Sequence, residues 1–124
     1  MAQTEHDLEL PSASTSVGGA RRFVGEALQQ LDAFSLSEVA ALLTSELVTN
    51  AVVHGSGSIR VHVSGVADRV RIAVADESSV MPAPRTAGDG AVTGRGLALV
   101  AHLADRWGVE PLDGGKEVWF ELRP

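Results

Sequence analysis

Ala20, Phe23, Val24, Ala27, Leu28 and Leu31 recur at spacings of three and four, the period of a helix that buries one stripe. Val17 to Leu31 is therefore predicted to be an amphipathic helix. After Asp32-Ala33-Phe34, Ser35 or Ser37 can cap a second helix, and Glu38 stands three residues after Ser35 as in a capping box. Val39, Leu42, Leu43, Leu47, Val48 and Ala51 give this helix a broad apolar face as far as His54-Gly55, where the glycine supplies a stop. The period then changes to two. Ile59-Arg60-Val61-His62-Val63 and Val70-Arg71-Ile72-Ala73-Val74 alternate on either side of a short link through Gly65 and Asp68, which predicts a hairpin with one covered face. Glu77 to Thr93 follows neither period, and so long an irregular stretch in a small domain reads as a functional lid, with Val80 to Thr93 its body. Gly94-Arg95-Gly96 opens a third helix through Leu97, Leu99, Val100, Leu103 and Ala104. A final strand pair, Trp107 to Val109 and Val118 to Leu122, flanks the Asp113-Gly114-Gly115 turn. Ahead of all these, Met1 to Asp7 is polar and expected to fray, with Leu8 to Leu10 as a short strand before the Pro11 to Ser16 loop.

Runs of consecutive strands exclude a strictly alternating parallel α/β fold. The order predicts an α+β protein, a two-layer α/β sandwich whose mixed, mostly antiparallel sheet carries its helices on one face. A length of 124 residues suits one domain. That domain is placed at residues 17–124, with 1–16 as a flexible N-terminus holding the short strand.

Composition narrows the partners. Hydrophobic residues at 44% and charged residues at 21% suit a packed core rather than disorder. Ten basic residues against 16 acidic ones give a net charge of -6, so the electrostatic attraction that dominates nucleic-acid binding is missing and no direct nucleic-acid partner is expected. The absence of cysteine removes disulfides, thiolate nucleophiles and cysteine zinc sites, in keeping with a reducing compartment. With aromatics at 4% there is no stacking platform for single strands. No signal peptide is evident, and no stretch is read as approaching the ~20 apolar residues of a membrane span. A cytoplasmic protein without a membrane partner is expected.

Candidate chemistry lies at three places. Glu46 and Asn50 are four apart on the second helix and share one side of it, with His54 a further step along. A carboxylate and an amide set there can orient a hydrated magnesium ion, or Glu46 can act as a general base. Taken alone, the pair equally fits the solvated edge of an amphipathic helix, and His54 fits a helix-terminal residue interacting with the dipole. Asp76 ends a strand, where it can accept a hydrogen bond from a ligand amine or simply initiate a turn. Thr93-Gly94-Arg95-Gly96 offers backbone N–H groups at a positive helix end, an anion site, although loop glycines also serve as plain lid attachments. It is not a dinucleotide fingerprint, since Leu99 stands where the third glycine is needed, and Gly115-Lys116-Glu117 lacks the hydroxyl residue of a P-loop.

In combination the motifs say more. Ala20-Arg21-Arg22-Phe23-Val24, the run from Leu42 to Val52, Gly94-Arg95-Gly96-Leu97-Ala98-Leu99-Val100, Leu103 to Gly108 and Val118-Trp119-Phe120-Glu121-Leu122 occur in an order that resembles the GHKL ATP-binding superfamily. Within it, the chain is similar to the histidine-kinase-like ATPase domains of anti-sigma factors and their actinobacterial relatives, over about Ala20 to Pro124. The resemblance implies the GHKL fold, ATP with magnesium as ligand, and cytoplasmic regulation of transcription through a protein. Glu46 would be the general base or water-positioning residue and Asn50 the magnesium ligand. Asp76 would receive the adenine amino group, and the backbone of Gly94, Arg95, Gly96 and Leu97 would contact the nucleotide. The implied activity is serine/threonine kinase action on an anti-sigma-factor antagonist; the alternative is a non-catalytic, nucleotide-liganded module that sequesters a sigma factor or similar partner. A homodimer is the implied candidate assembly. Two departures stand out: Glu77-Ser78-Ser79-Val80 replaces the family's glycine-containing motif, and Glu117 replaces the threonine of Gly-Lys-Thr-Val-Trp. The second is expected to remove a hydroxyl and bring another carboxylate beside Asp76, weakening nucleotide binding.

Overall fold

The chain, described here from a computed structural model, runs β1 (Glu5–Leu10), α1 (Ser16–Gln30), a 3-10 turn at Phe34–Leu36, α2 (Ser37–His54), β2 (Ile59–Val66) and β3 (Arg69–Asp76), then α3 (Val92–Leu103), β4 (Arg106–Leu112) and β5 (Gly115–Leu122). The description covers residues 4–66, 68–80 and 92–124, without the side chains of Val66 and of residues 92–95. The five strands form one open sheet in the order β1-β2-β3-β5-β4. Every pairing among the described residues is antiparallel, so the mixed component of the expected sheet is not seen there.

Strand alternation turns one face of the sheet into the core. Ile59, Val61 and Val63 of β2, Val70, Ile72 and Val74 of β3, and Val118, Phe120 and Leu122 of β5 pack in one cluster with the helices. From the helices come Ala20, Val24, Ala27 and Leu28 of α1, Ala40, Leu43, Leu47, Val48 and Ala51 of α2, and Leu97 and Val100 of α3. This is the α+β sandwich the pattern predicts. On the opposite face long side chains lie over the sheet: the Arg71 guanidinium stacks 4.0 Å from the Trp119 ring centroid, and Arg69 and Arg71 each donate to the buried Glu121 carboxylate at 3.3 Å.

Four expectations need correction. First, the N-terminal segment is not left to fray from residue 5 onward, because β1 pairs with β2 along its whole length, from Glu5 opposite Ser64 to Leu10 opposite Ile59. Only three of its residues face inward, and the alternating Glu5, Asp7 and Glu9 made an edge strand look like a polar tail. His62 clasps it, with Nδ1 at 2.6 Å from Asp7 and Nε2 at 3.3 Å from Glu5. Second, neither Ser35 nor Ser37 caps α2 through its side chain; the 3-10 turn leads straight into the helix, and the Leu36 N–H donates to Ala33 O at 3.0 Å. Third, Phe34–His54, 21 residues long, does reach the length and apolarity of a membrane span. Its Ala40, Leu43, Leu47, Val48 and Ala51 are buried against α1 and the sheet, so here it serves as the core helix. Fourth, α3 begins at Val92, so Gly94-Arg95-Gly96 lies inside its first turns rather than ahead of it. Most of the expected lid, residues 81–91, falls outside the described residues.

Candidate functional site

The core side of α2 is fixed by Leu43, Leu47, Val48 and Ala51, which leaves Glu46 and Asn50 half-buried on a flank. α3 meets that flank. Gly96 is buried, and a Cβ built on it would stand 2.7 Å from Asn50 Nδ2 and 3.4 Å from the Glu46 Cβ. The absence of a Cβ lets the Asn50 amide lie directly against α3 at this point. Leu97, next in sequence, is fully buried and fastens α3 to the core. Three of the expected site residues, Glu46, Asn50 and Gly96, are thus brought together across two helices. The backbone of Gly94 and Arg95 lies in the same first turns of α3. His54 is the last residue of α2 and is exposed.

Asp76 occupies the end of β3, buried against the C-terminal end of α2. A Cβ on Gly55 would lie 2.8 Å from Asp76 Oδ2 and 2.6 Å from Ala51 O, so the glycine after the helix gives the carboxylate its seat. Gly55 follows Asn50 by five residues, about 7.5 Å along a helix axis at its usual rise. Both polar stations therefore lie along the C-terminal half of α2. The backbone N–H of Ser78 donates to Asp76 Oδ1 at 2.8 Å, an Asx turn. Glu77 then locks the neighbouring loops: its N–H donates to Ser56 O at 2.9 Å, and its Oε2 accepts from the Ser58 N–H at 2.9 Å. Gly57, at φ 71°, has no Cβ to collide with that carboxylate. In place of a glycine-containing motif, the Ser78 N–H holds Asp76 directly, and Glu77 ties the loop beside it to Ser56 and Ser58.

The expectation for Glu117 is corrected by the register. Asp76 pairs with Lys116, whereas Glu117 pairs with Ala75 on one side and Glu110 on the other. Successive residues of a strand point to opposite faces, so Glu117 lies on the face away from Asp76. The residue that reaches Asp76 is Lys116, whose Nζ stands 2.9 Å from Oδ1 with both side chains buried. Lys116 was missing from the expected site. The signal existed, because counting back by twos from Leu122 through Phe120 and Val118 puts Lys116 on the inward face.

Among the described residues no group of three or more His, Asp or Glu converges on a metal position. A hard cation needs only one or two protein oxygens where ligand phosphates complete its shell. Glu46 and Asn50 carry oxygen donors of the right kind on one flank of α2, and it is the Asn50 Nδ2 and the Glu46 Cβ that face Gly96.

An open antiparallel sheet backed by three helices, with polar groups gathered along one helix end and one strand end, defines a two-layer α+β sandwich. The sequence matches the model of the histidine kinase-like ATPase domain over residues 10–122, and the chain belongs to that family. Among solved structures it is similar to the RsbU and RsbW domains of Rv1364c from Mycobacterium tuberculosis, at 23% identity and a TM-score of 0.73, covering 98% of this chain and 32% of that one. The chain thus spans about a third of that structure's length, and the likeness is one of fold. No curated protein matches the sequence.

Proposed function

We propose that this chain binds ATP with magnesium and acts as a cytoplasmic serine/threonine kinase on a protein of the anti-sigma-factor-antagonist class. The observation that carries the reading is the approach of Gly96 to Asn50 and Glu46, which brings the first turns of α3 beside a flank of α2 that bears a carboxylate and an amide. Membership of an ATPase family supports the ligand, and the likeness to a structure that includes an RsbW domain supports the regulatory setting.

Asn50 would hold the magnesium ion, whose chemistry is to neutralise phosphate charge. The first N–H groups of α3, including those of Gly94 and Arg95, would face the phosphates, where the helix end favours negative charge. Asp76 would accept a hydrogen bond from the adenine amino group. In the transfer, the acceptor serine oxygen bonds to the γ-phosphorus as the bond to the β,γ-bridging oxygen breaks, ADP leaves, and Glu46 takes the hydroxyl proton. Positioning and charge neutralisation supply most of the catalysis in such reactions.

The test is transfer of labelled phosphate from ATP to a candidate partner by the purified chain with magnesium. Transfer that falls by at least about a hundredfold in Glu46→Ala, the usual worth of a general base, supports the kinase. ATP binding and partner binding without transfer would instead assign the sequestering module, and no binding at millimolar ATP would refute the nucleotide site.

A further inference from the structure

Lys116 and Asp76 are only 7% and 9% exposed. Burying an ammonium costs several kcal/mol unless a partner compensates it, and the antiparallel register sets that partner opposite it. The pairing is specific to one oxygen. Asp76 Oδ1 accepts from Lys116 Nζ at 2.9 Å and from the Ser78 N–H at 2.8 Å. A carboxylate oxygen has two lone-pair sites, so Oδ1 is fully used. Oδ2 is the other oxygen, and it packs beside Gly55, where a Cβ would stand 2.8 Å from it.

We infer that Lys116 is a positioning residue for base selection: by holding Oδ1 it turns Oδ2 into the oxygen that meets the ligand, and so sets the preference for a purine bearing an exocyclic amino group. A carboxylate pinned in this way presents one acceptor in one direction. Released from Lys116, it would have two oxygens free to rotate, and a base without an amino group would be excluded less strictly. The inference rests on the nucleotide reading of this site and adds to it a residue from the strand opposite Asp76.

Calorimetry of the full chain with magnesium and either ATP or purine riboside triphosphate, which lacks the amino group, tests both layers. The wild type is expected to prefer ATP on the order of tenfold or more, the worth of one hydrogen bond to a charged acceptor. Lys116→Met and Asp76→Asn should each reduce that preference to within about threefold, and the double variant should lose no more than either single one, as expected of residues acting through one contact. Equal weakening of both nucleotides by Lys116→Met, with the preference intact, would overturn the inference and leave Lys116 a structural residue. A wild type that binds neither nucleotide would refute the underlying reading. A preference erased by Asp76→Asn but kept in Lys116→Met would refute this inference alone. If Lys116→Met does not fold, Asp76→Asn and Asp76→Asn/Lys116→Met decide the matter: with no carboxylate to orient they must bind ATP equally, and a further loss in the double variant overturns the proposal.

Discussion

Gly96 shows how little space the site has to spare. A methyl group there would come within 2.7 Å of Asn50 Nδ2, and the Asn50 amide, as the movable party, would be pushed aside. Gly96→Ala is therefore expected to lower ATP affinity about tenfold or more while changing stability by about 1 kcal/mol, the range of modest overpacking. Calorimetry and a urea melt read the two effects separately. Glu117 gives the opposite expectation. Its place across from Ala75 and Glu110 keeps it off the Asp76 face, so Glu117→Thr should leave ATP affinity within about twofold of wild type; a larger change by calorimetry would mean that the residue reaches the ligand. At this scale legibility was uneven. Glu46, Asn50 and Gly96 could be placed on their helices from spacing, but as site candidates they rested on the order of the motifs and the resemblance it carries. Lys116 was passed over although alternation marks it as inward, because a charged residue there has no evident role until its partner, 40 residues away in sequence, is known.

Among the elements, β5 carries the most. It lies between β3 and β4 and directs Val118, Phe120 and Leu122 into the core, with Phe120 fully buried. Phe120→Ala is expected to destabilise the fold by about 3–5 kcal/mol, seen as a lower urea midpoint. The helices and the central hairpin were legible because α1 and the hairpin have a clear period with one buried face, while α2 is long and broadly apolar. Only the Leu8 to Leu10 half of β1 was legible, since the Glu5 to Asp7 half of an edge strand with charged outward residues needs its neighbour, β2, to show that it is a strand. The entry to α2 misled for a related reason: a 3-10 turn met the backbone groups that a serine cap would have met.

For the molecule as a whole, consecutive strands and one-sided helices were enough to predict a two-layer α+β sandwich, since an all-antiparallel sheet with one apolar face has to be covered by helices. The sheet order was beyond such reasoning, because the pattern marks the strands but not which of them are neighbours. That order carries a consequence for how the protein is made. β5 inserts between β3 and β4, so until residues 115–122 have left the ribosome β3 has no second neighbour and Asp76 lacks its cation. On the proposed reading of the site, a nascent chain halted before Gly115 would display a half-built sheet in which Asp76 has no Lys116 to orient it, and is expected to bind ATP without preferring its amino group.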